Sequence, residues 1–296
     1  MSCIIETLEG RPVADRRVEV VERKGLGHPD TICDSVAEAA SVALSRLYME
    51  RTGLIAHYNV DKALLVAGQC AKRFGSGEVT RPMELIIGDR ATAQVAGQSL
   101  PVVETVREAV DRWVRDHLPG VRPAEDLITR VTLAPGSEEL RRVYAAGQDE
   151  VPSNDTSGAS GYAPLSPTEE LVLAVERYLN SAEFKRAFPD TGRDVKVMGV
   201  REDRRLALTV AMPPSCRHVA SEAAYFARRE EILHALVRHF ASAPFEVSTS
   251  SADRGAGVAS PHLGRGCSHP SGVRSPSSLS FRGPARRYVH CTGLGH

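Results

Sequence analysis

The sequence predicts an α+β fold of mixed β-sheets with helices packed on one face. Three observations carry it. Stretches with apolar residues at three- and four-residue steps are interspersed with short runs that alternate or are wholly apolar. The runs "ALLVAGQ" (63–69) and "MELIIG" (83–88) are short and bounded by glycine, as buried strands are. The resulting order is strand, helix, strand pair, helix, strand, helix, hairpin, helix, which implies sheets covered by helices with long loops at the strand ends.

"VADRRVEVVER" (13–23) alternates enough to form a strand that feeds a glycine-bearing loop. "TICDSVAEAASVALSRLYME" then sets Ile32, Val36, Ala39, Ala40, Ala43, Leu44 and Leu47 along one helical face. "SLPVVETVREAVDRWVRDHL" is a second amphipathic helix with Val103, Val106, Val110, Trp113 and Val114 inward, and "LITRVTLAPGS" is a strand and turn. A capping box opens the next helix: Ser166 as cap, Pro167 in the first helical position and Glu169 three residues after the cap. "DVKVMGVREDRRLALTVAMP" reads as a hairpin around the polar turn "REDR", and "SEAAYFARREEILHALVRHF" as the last helix.

A hydrophobic fraction of 42% and a charged fraction of 25% are those of a soluble globular protein, and 296 residues suffice for a substantial core. Thirty-seven basic residues balance 37 acidic ones, so bulk charge directs the chain to neither nucleic acid nor membrane. Only Lys24, Lys62, Lys72, Lys185 and Lys196 are lysines; the other basic residues are arginines. The six cysteines show no C-x-x-C spacing, which argues against a zinc site and for a reducing compartment. The N-terminus lacks the pattern of a signal peptide, and no apolar run approaches membrane-spanning length. A cytoplasmic protein is expected.

Beyond about Phe245 the composition shifts to serine, glycine, proline, arginine and histidine, with no acid after Asp253. It reads as disordered. An evolved linker is one explanation; the composition also matches a GC-rich coding sequence read out of frame, the reading we favour. The division is 1–150, 151–245 and a tail 246–296.

Three stretches carry chemistry. In "GLGHPD", Pro29 fixes its own φ and biases His28 to an extended backbone, so a histidine and the Asp30 carboxylate are held in a stiff relation at the mouth of a helix. The bland reading is a helix start capped by Asp30 or Thr31; the sharp one is a phosphate site with Mg²⁺ on Asp30. "HYNVDKALL" sets Asp61 and Lys62 just before a strand, as a solvated pair or a functional one. "SNDTSGASGYAPLS" carries Asn154, Asp155, Thr156 and Ser157 ahead of small residues that let a backbone approach a ligand, with Tyr162, Ala163 and Pro164 read as packed. Neither a Walker A pattern nor G-x-G-x-x-G occurs.

Together, "VEVVERKGLGHPDTICDSVAEA", "NVDKALLVAGQ", "FGSGEV", "NDTSGASGYAPLSPTEELVLAVERYLNS" and "DVKVMGVRE" resemble the archaeal-type S-adenosylmethionine synthetases (methionine adenosyltransferases), in order and spacing, over about residues 13–240. The resemblance implies that family's fold, with its third unit incomplete here, and a homodimer whose site is shared between subunits. It implies ATP and L-methionine as substrates, Mg²⁺ and K⁺ as cofactors, and diphosphate and phosphate as products beside S-adenosylmethionine. His28 would assist departure of the triphosphate, Asp30 hold Mg²⁺, Lys62 reach phosphate, and Asp155, Thr156 and Ser157 face the adenosine and methionine end. Departures stand beside it: Gly158 in place of an aromatic, Asp89 where glycine is usual, and no match to the family's C-terminal motifs. They leave a second reading, a non-catalytic relic or regulatory subunit that retains nucleotide binding or dimerisation.

Overall fold

The computed structural model describes residues 10–136 and 161–240, together with the backbone of 246–250, 278–283 and 287–288. Its strands are β1 (Val18–Lys24), β2 (Tyr58–Val66), β3 (Gln69–Arg73), β4 (Ser76–Arg81), β5 (Met83–Ala91), β6 (Gln94–Val95), β7 (Gln98–Ser99), β8 (Leu127–Ala134), β9 (Lys196–Glu202), β10 (Arg205–Ala211), β11 (Glu246–Ser250), β12 (Ser278–Gly283) and β13 (Arg287–Tyr288). The helices are α1 (Pro29–Thr52), α2 (Val102–His117), α3 (Pro167–Asn180), α4 (Ala182–Ala187) and α5 (Glu222–His239). The architecture is α+β. None of the described helices is long and apolar enough to cross a membrane.

One sheet runs β2-β5-β8, with β2 antiparallel and β8 parallel to β5. Register puts Ala63 and Leu65, Leu85 and Ile87, and Leu127 and Val131 on one face, where they join Ile32, Val36, Leu44, Val106 and Val110 of α1 and α2 in a core. The opposite face, carrying Lys62, Leu64, Val66, Ile86, Ile128 and Arg130, is not covered by these helices, and Leu64 is 60% exposed. Asp61 and Lys62 lie inside β2, at an irregularity in its pairing with β5, instead of ahead of the strand. Opposite them Asp89 takes φ 109°, a conformation that favours glycine and strains any other residue.

The second sheet is antiparallel and runs β1-β9-β10-β12-β11. β1 therefore leaves the sequence region of β2 and pairs with β9, Glu22 opposite Met198 and Lys24 opposite Lys196. Leu171, Val175, Leu179, Phe184, Val197, Leu208 and Leu236 form its core with α3, α4 and α5. β11, β12 and β13 fall in the stretch that composition reads as disordered.

Glu19 ties this sheet to α3. Its buried carboxylate accepts hydrogen bonds from Ser166 Oγ (2.5 Å), Thr168 Oγ1 (2.8 Å) and Arg201 Nε (2.9 Å). Burial pushes the pKa of this carboxyl up, but the three donors outweigh burial and hold it below the ordinary carboxylate range. The capping box forms as its spacing predicts, Glu169 N–H on Ser166 Oγ and Ser166 N–H on the Glu169 carboxylate. Tyr162, Ala163 and Pro164 are exposed, not packed; Tyr162 is 72% exposed, and its hydroxyl donates to Glu169.

Candidate active site

The cap of α1 is His28, a correction to the expectation of Asp30 or Thr31. With Pro29 in the first helical turn, the next free backbone N–H is that of Asp30, and it donates to His28 Nδ1 at 3.2 Å. Nδ1 is thus an acceptor, and in the neutral ring the proton sits on Nε2, a donor for an anionic oxygen. Burial pushes the imidazole below its ordinary pKa, and the charges of Lys24 and Lys196 act in the same direction against Asp30 and Glu22.

Two glycines bring the loop onto the second sheet. Gly25 N–H donates to Val195 C=O at 2.7 Å and Gly27 N–H to Arg193 C=O at 3.2 Å. A Cβ on Gly27 would lie 2.6 Å from Arg193 O and 2.7 Å from Asp194 N, so no side chain fits there. A Cβ on Gly25 would collide with Asn180 and Glu176 of α3. The glycines of "GLGHPD" are needed for close approach to a neighbouring backbone.

That approach sets His28 beside the ends of β1 and β9. Lys24 and Lys196 are cross-strand partners on one face, an arrangement of like charges that costs stability by itself. Glu22 lies between them, 2.6 Å from Lys196 Nζ and 3.8 Å from Lys24 Nζ. Lys24 also pairs with Asp30; the contact holds the lysine above and the carboxyl below their ordinary values. Behind them the Asp194 carboxyl is pushed up to about 7 by burial, against the pull of Lys196. Two ammonium groups, an imidazole donor and the N-terminus of a 24-residue helix therefore converge on one edge. The Glu22 and Asp30 carboxylates share that edge and balance the two ammonium charges.

His28 and Asp30 are neighbours in this cluster. Lys62 stands apart: it is exposed on the face of β2 turned away from α1, where it pairs with Asp61 at 2.5 Å and lies 3.9 Å from Asp89. Asp155, Thr156 and Ser157, with Asn154, lie outside the described residues. Lys24, Lys196, Glu22 and Asp194 were not singled out from sequence. A signal was present, since two of only five lysines in an arginine-rich chain flank the two motifs that the structure joins.

The family model described as S-adenosylmethionine synthetase (AdoMet synthetase) matches residues 2–258. The chain belongs to the S-adenosylmethionine synthetase family. It is 46% identical to the S-adenosylmethionine synthase of Aeropyrum pernix over 233 residues, covering 77% of this chain and 57% of that protein. The corresponding protein of Hyperthermus butylicus is 45% identical over 214 residues, covering 70% and 52%, and that of Methanocaldococcus jannaschii 42% over 223 residues, covering 73% and 55%. This synthetase-family chain thus spans little more than half the length of the curated relatives it matches.

Proposed function

We propose that this chain is a methionine adenosyltransferase working on ATP and L-methionine. The methionine sulfur attacks the ribose C5′, the C5′–O bond breaks, and triphosphate leaves with the electron pair. Water then splits the triphosphate to diphosphate and phosphate. The observation that carries this reading is the Lys24–Lys196 cross-strand pair beside His28 at the head of α1. Negative charge grows on the leaving triphosphate oxygen, and preorganised donors at that point lower the barrier. His28 Nε2–H donates to that oxygen, while Lys24 and Lys196 balance the remaining phosphate charge. Asp155, Thr156 and Ser157 take the adenosine and methionine end by family resemblance.

Asp30 fits Mg²⁺. Its side chain is 60% exposed on the first turn of α1 and offers the oxygen donors that Mg²⁺ takes alongside phosphate oxygens. Asp30 would hold the ion together with the phosphate oxygens of the substrate. Bound there, Mg²⁺ supplies neutralisation of phosphate charge. K⁺ is expected from the family, and none of the described residues is assigned to it.

A homodimer in the cytoplasm completes the proposal. Val18 and Val20 on β1 and Leu64, Val66 and Ile128 on the other sheet are exposed apolar residues that a second copy would cover. Lys62 sits on that open face, so its phosphate role belongs to a site completed by the second copy.

The test is calorimetry of ATP with Mg²⁺, followed by chromatography of S-adenosylmethionine formed from ATP, methionine, Mg²⁺ and K⁺. Product formation that falls about 10²–10³-fold in His28→Asn supports the reading. Nucleotide binding without product selects the non-catalytic relative, and neither binding nor product overturns both.

A further inference from the structure

Next to the candidate site, on the same 190–195 turn that receives the Gly25 and Gly27 contacts, lies a second lysine environment. Lys185, on the short helix α4, sends its side chain inward. Its Nζ donates to Gly192 C=O at 2.6 Å and to Thr191 Oγ1 at 3.1 Å, with Met212 Sδ at 3.9 Å and the Phe184 ring centroid at 5.6 Å. Thr191 Oγ1 in turn donates to Phe188 C=O at 2.8 Å. The residue after Gly192 is Arg193, whose carbonyl accepts from Gly27 N–H, and two residues further Val195 accepts from Gly25 N–H. Lys185 and the Gly25–Gly27 loop thus grip the same short turn.

We infer that Lys185 is a positioning residue: seated on Thr191 and the Gly192 carbonyl, it braces the 191–195 turn against Gly25 and Gly27 and so sets His28 at the head of α1. The inference takes its functional meaning from the nucleotide reading of that site, while its geometry stands independently. Desolvation of such a group is costly. Burial pushes the ammonium down to about 7, with Arg193 acting in the same direction and Asp190 against it. A buried lysine is expensive unless its donors are used, and two of them are spent on this one turn. Even the neutral amine keeps an N–H for each of the two oxygens. Met212, at the end of β10, packs beside it, so the brace joins α4, the turn and the sheet margin.

The experiment is amide hydrogen exchange of the full chain by NMR, comparing wild type with Lys185→Met and, as a control on the exposed face of the same helix, Arg186→Met. In Lys185→Met the Gly25 and Gly27 amides exchange about tenfold or more faster, because hydrogen bonds of a charged group have been lost behind their acceptors, while Val106 and Val110 of α2 keep wild-type rates. Arg186→Met leaves all four rates unchanged. Lys185→Arg, which keeps the cation and its donors, recovers part of the Gly25 and Gly27 protection. Unchanged glycine rates in folded Lys185→Met overturn the inference, as does a rise shared equally by the α2 amides, which would mark a general loss of stability. If Lys185→Met does not fold, Thr191→Val carries the test: faster Gly25 and Gly27 exchange supports the brace, and unchanged rates overturn it. ATP–Mg²⁺ binding by calorimetry is run in parallel, with about tenfold weaker affinity expected in the variant. Local loosening in a protein whose wild type binds no nucleotide would leave the brace standing and remove the functional reading.

Discussion

The two larger sheets of this molecule differ in how much polar bonding their cores carry. Around β2-β5-β8 the core is built mainly of apolar side chains from the strands, α1 and α2, with fewer buried polar contacts: Tyr48 donates to Thr92 C=O at 2.9 Å, Thr92 Oγ1 to His57 C=O at 2.8 Å, and Arg122 Nε to Asp126 at 2.9 Å. Around β1-β9-β10 the apolar core is laced with buried polar groups: Glu19 under Ser166, Thr168 and Arg201, Asp190 paired with Arg228 at 2.9 Å, and Lys185 on its turn. Dispersion and the hydrophobic effect are non-directional, whereas hydrogen bonds fix position and orientation. The first region is a frame that carries the length of α1. The second is where the tip of that helix is aligned, because the Gly25–Gly27 loop makes its backbone hydrogen bonds there.

Damage to the two regions is therefore expected to differ in kind. Glu19→Ala should have the largest effect, about 3–5 kcal/mol of lost stability in urea unfolding, because it leaves the Arg201 guanidinium and two hydroxyls without their shared acceptor. Glu19→Gln, which keeps one acceptor oxygen, should lose clearly less. Equal losses would show that the carboxylate charge, not the acceptor geometry, holds α3. Leu44→Ala, in the centre of the apolar frame, should cost about 3 kcal/mol by the same measurement through lost transfer energy and a cavity. Nucleotide affinity of the remaining folded protein should be unchanged, since no directional contact to the site is removed. A parallel loss of affinity would erase the distinction between frame and alignment.

A third expectation uses pH. The Asp194 carboxyl is pushed from the ordinary 3.8 up to about 7, so between those values the unfolded chain has released a proton that the folded chain keeps. Stability therefore falls as pH rises through that window. Lys185 has the opposite sign: it is pushed from 10.5 down to about 7, so between those values the unfolded chain holds a proton the folded chain lacks, and stability rises with pH. Asp194→Asn should flatten the acidic slope and leave the alkaline one, as read from urea midpoints at a series of pH values. An unchanged acidic slope would mean that Asp194 ionises freely in the folded protein.

The smallest effect is expected in the frame. Asp89→Gly relieves a positive φ and should raise stability by about 1 kcal/mol, less whatever the Asn59–Asp89 hydrogen bond contributes at 3.1 Å. A decrease would indicate that the polar contacts of Asp89 outweigh its backbone strain.

What the sequence determined by itself was local. The period of Ile32, Val36, Ala40 and Leu44 gave a helix and its inner face, S-P-T-E marked the start of α3, and "REDR" closed the β9–β10 hairpin. Each of these depends on neighbours within a few residues, where spacing and capping chemistry are legible. The family was legible for a related reason, since several long motifs occur in one order. The tertiary structure decided which strands are partners. A two-residue period tells which face of β1 is inward, but not that Lys24 meets Lys196 across 172 residues of chain. Likewise it decided that Lys62 faces away from α1, because the pairing irregularity at Asn59–Lys62 sets which residues of β2 point inward. His28 became the cap through hydrogen bonding: proline supplies no N–H, and the next one along the chain donates to the imidazole. Side-chain chemistry can be read from sequence; the company each side chain keeps is fixed by long-range pairing, which local periodicity does not encode.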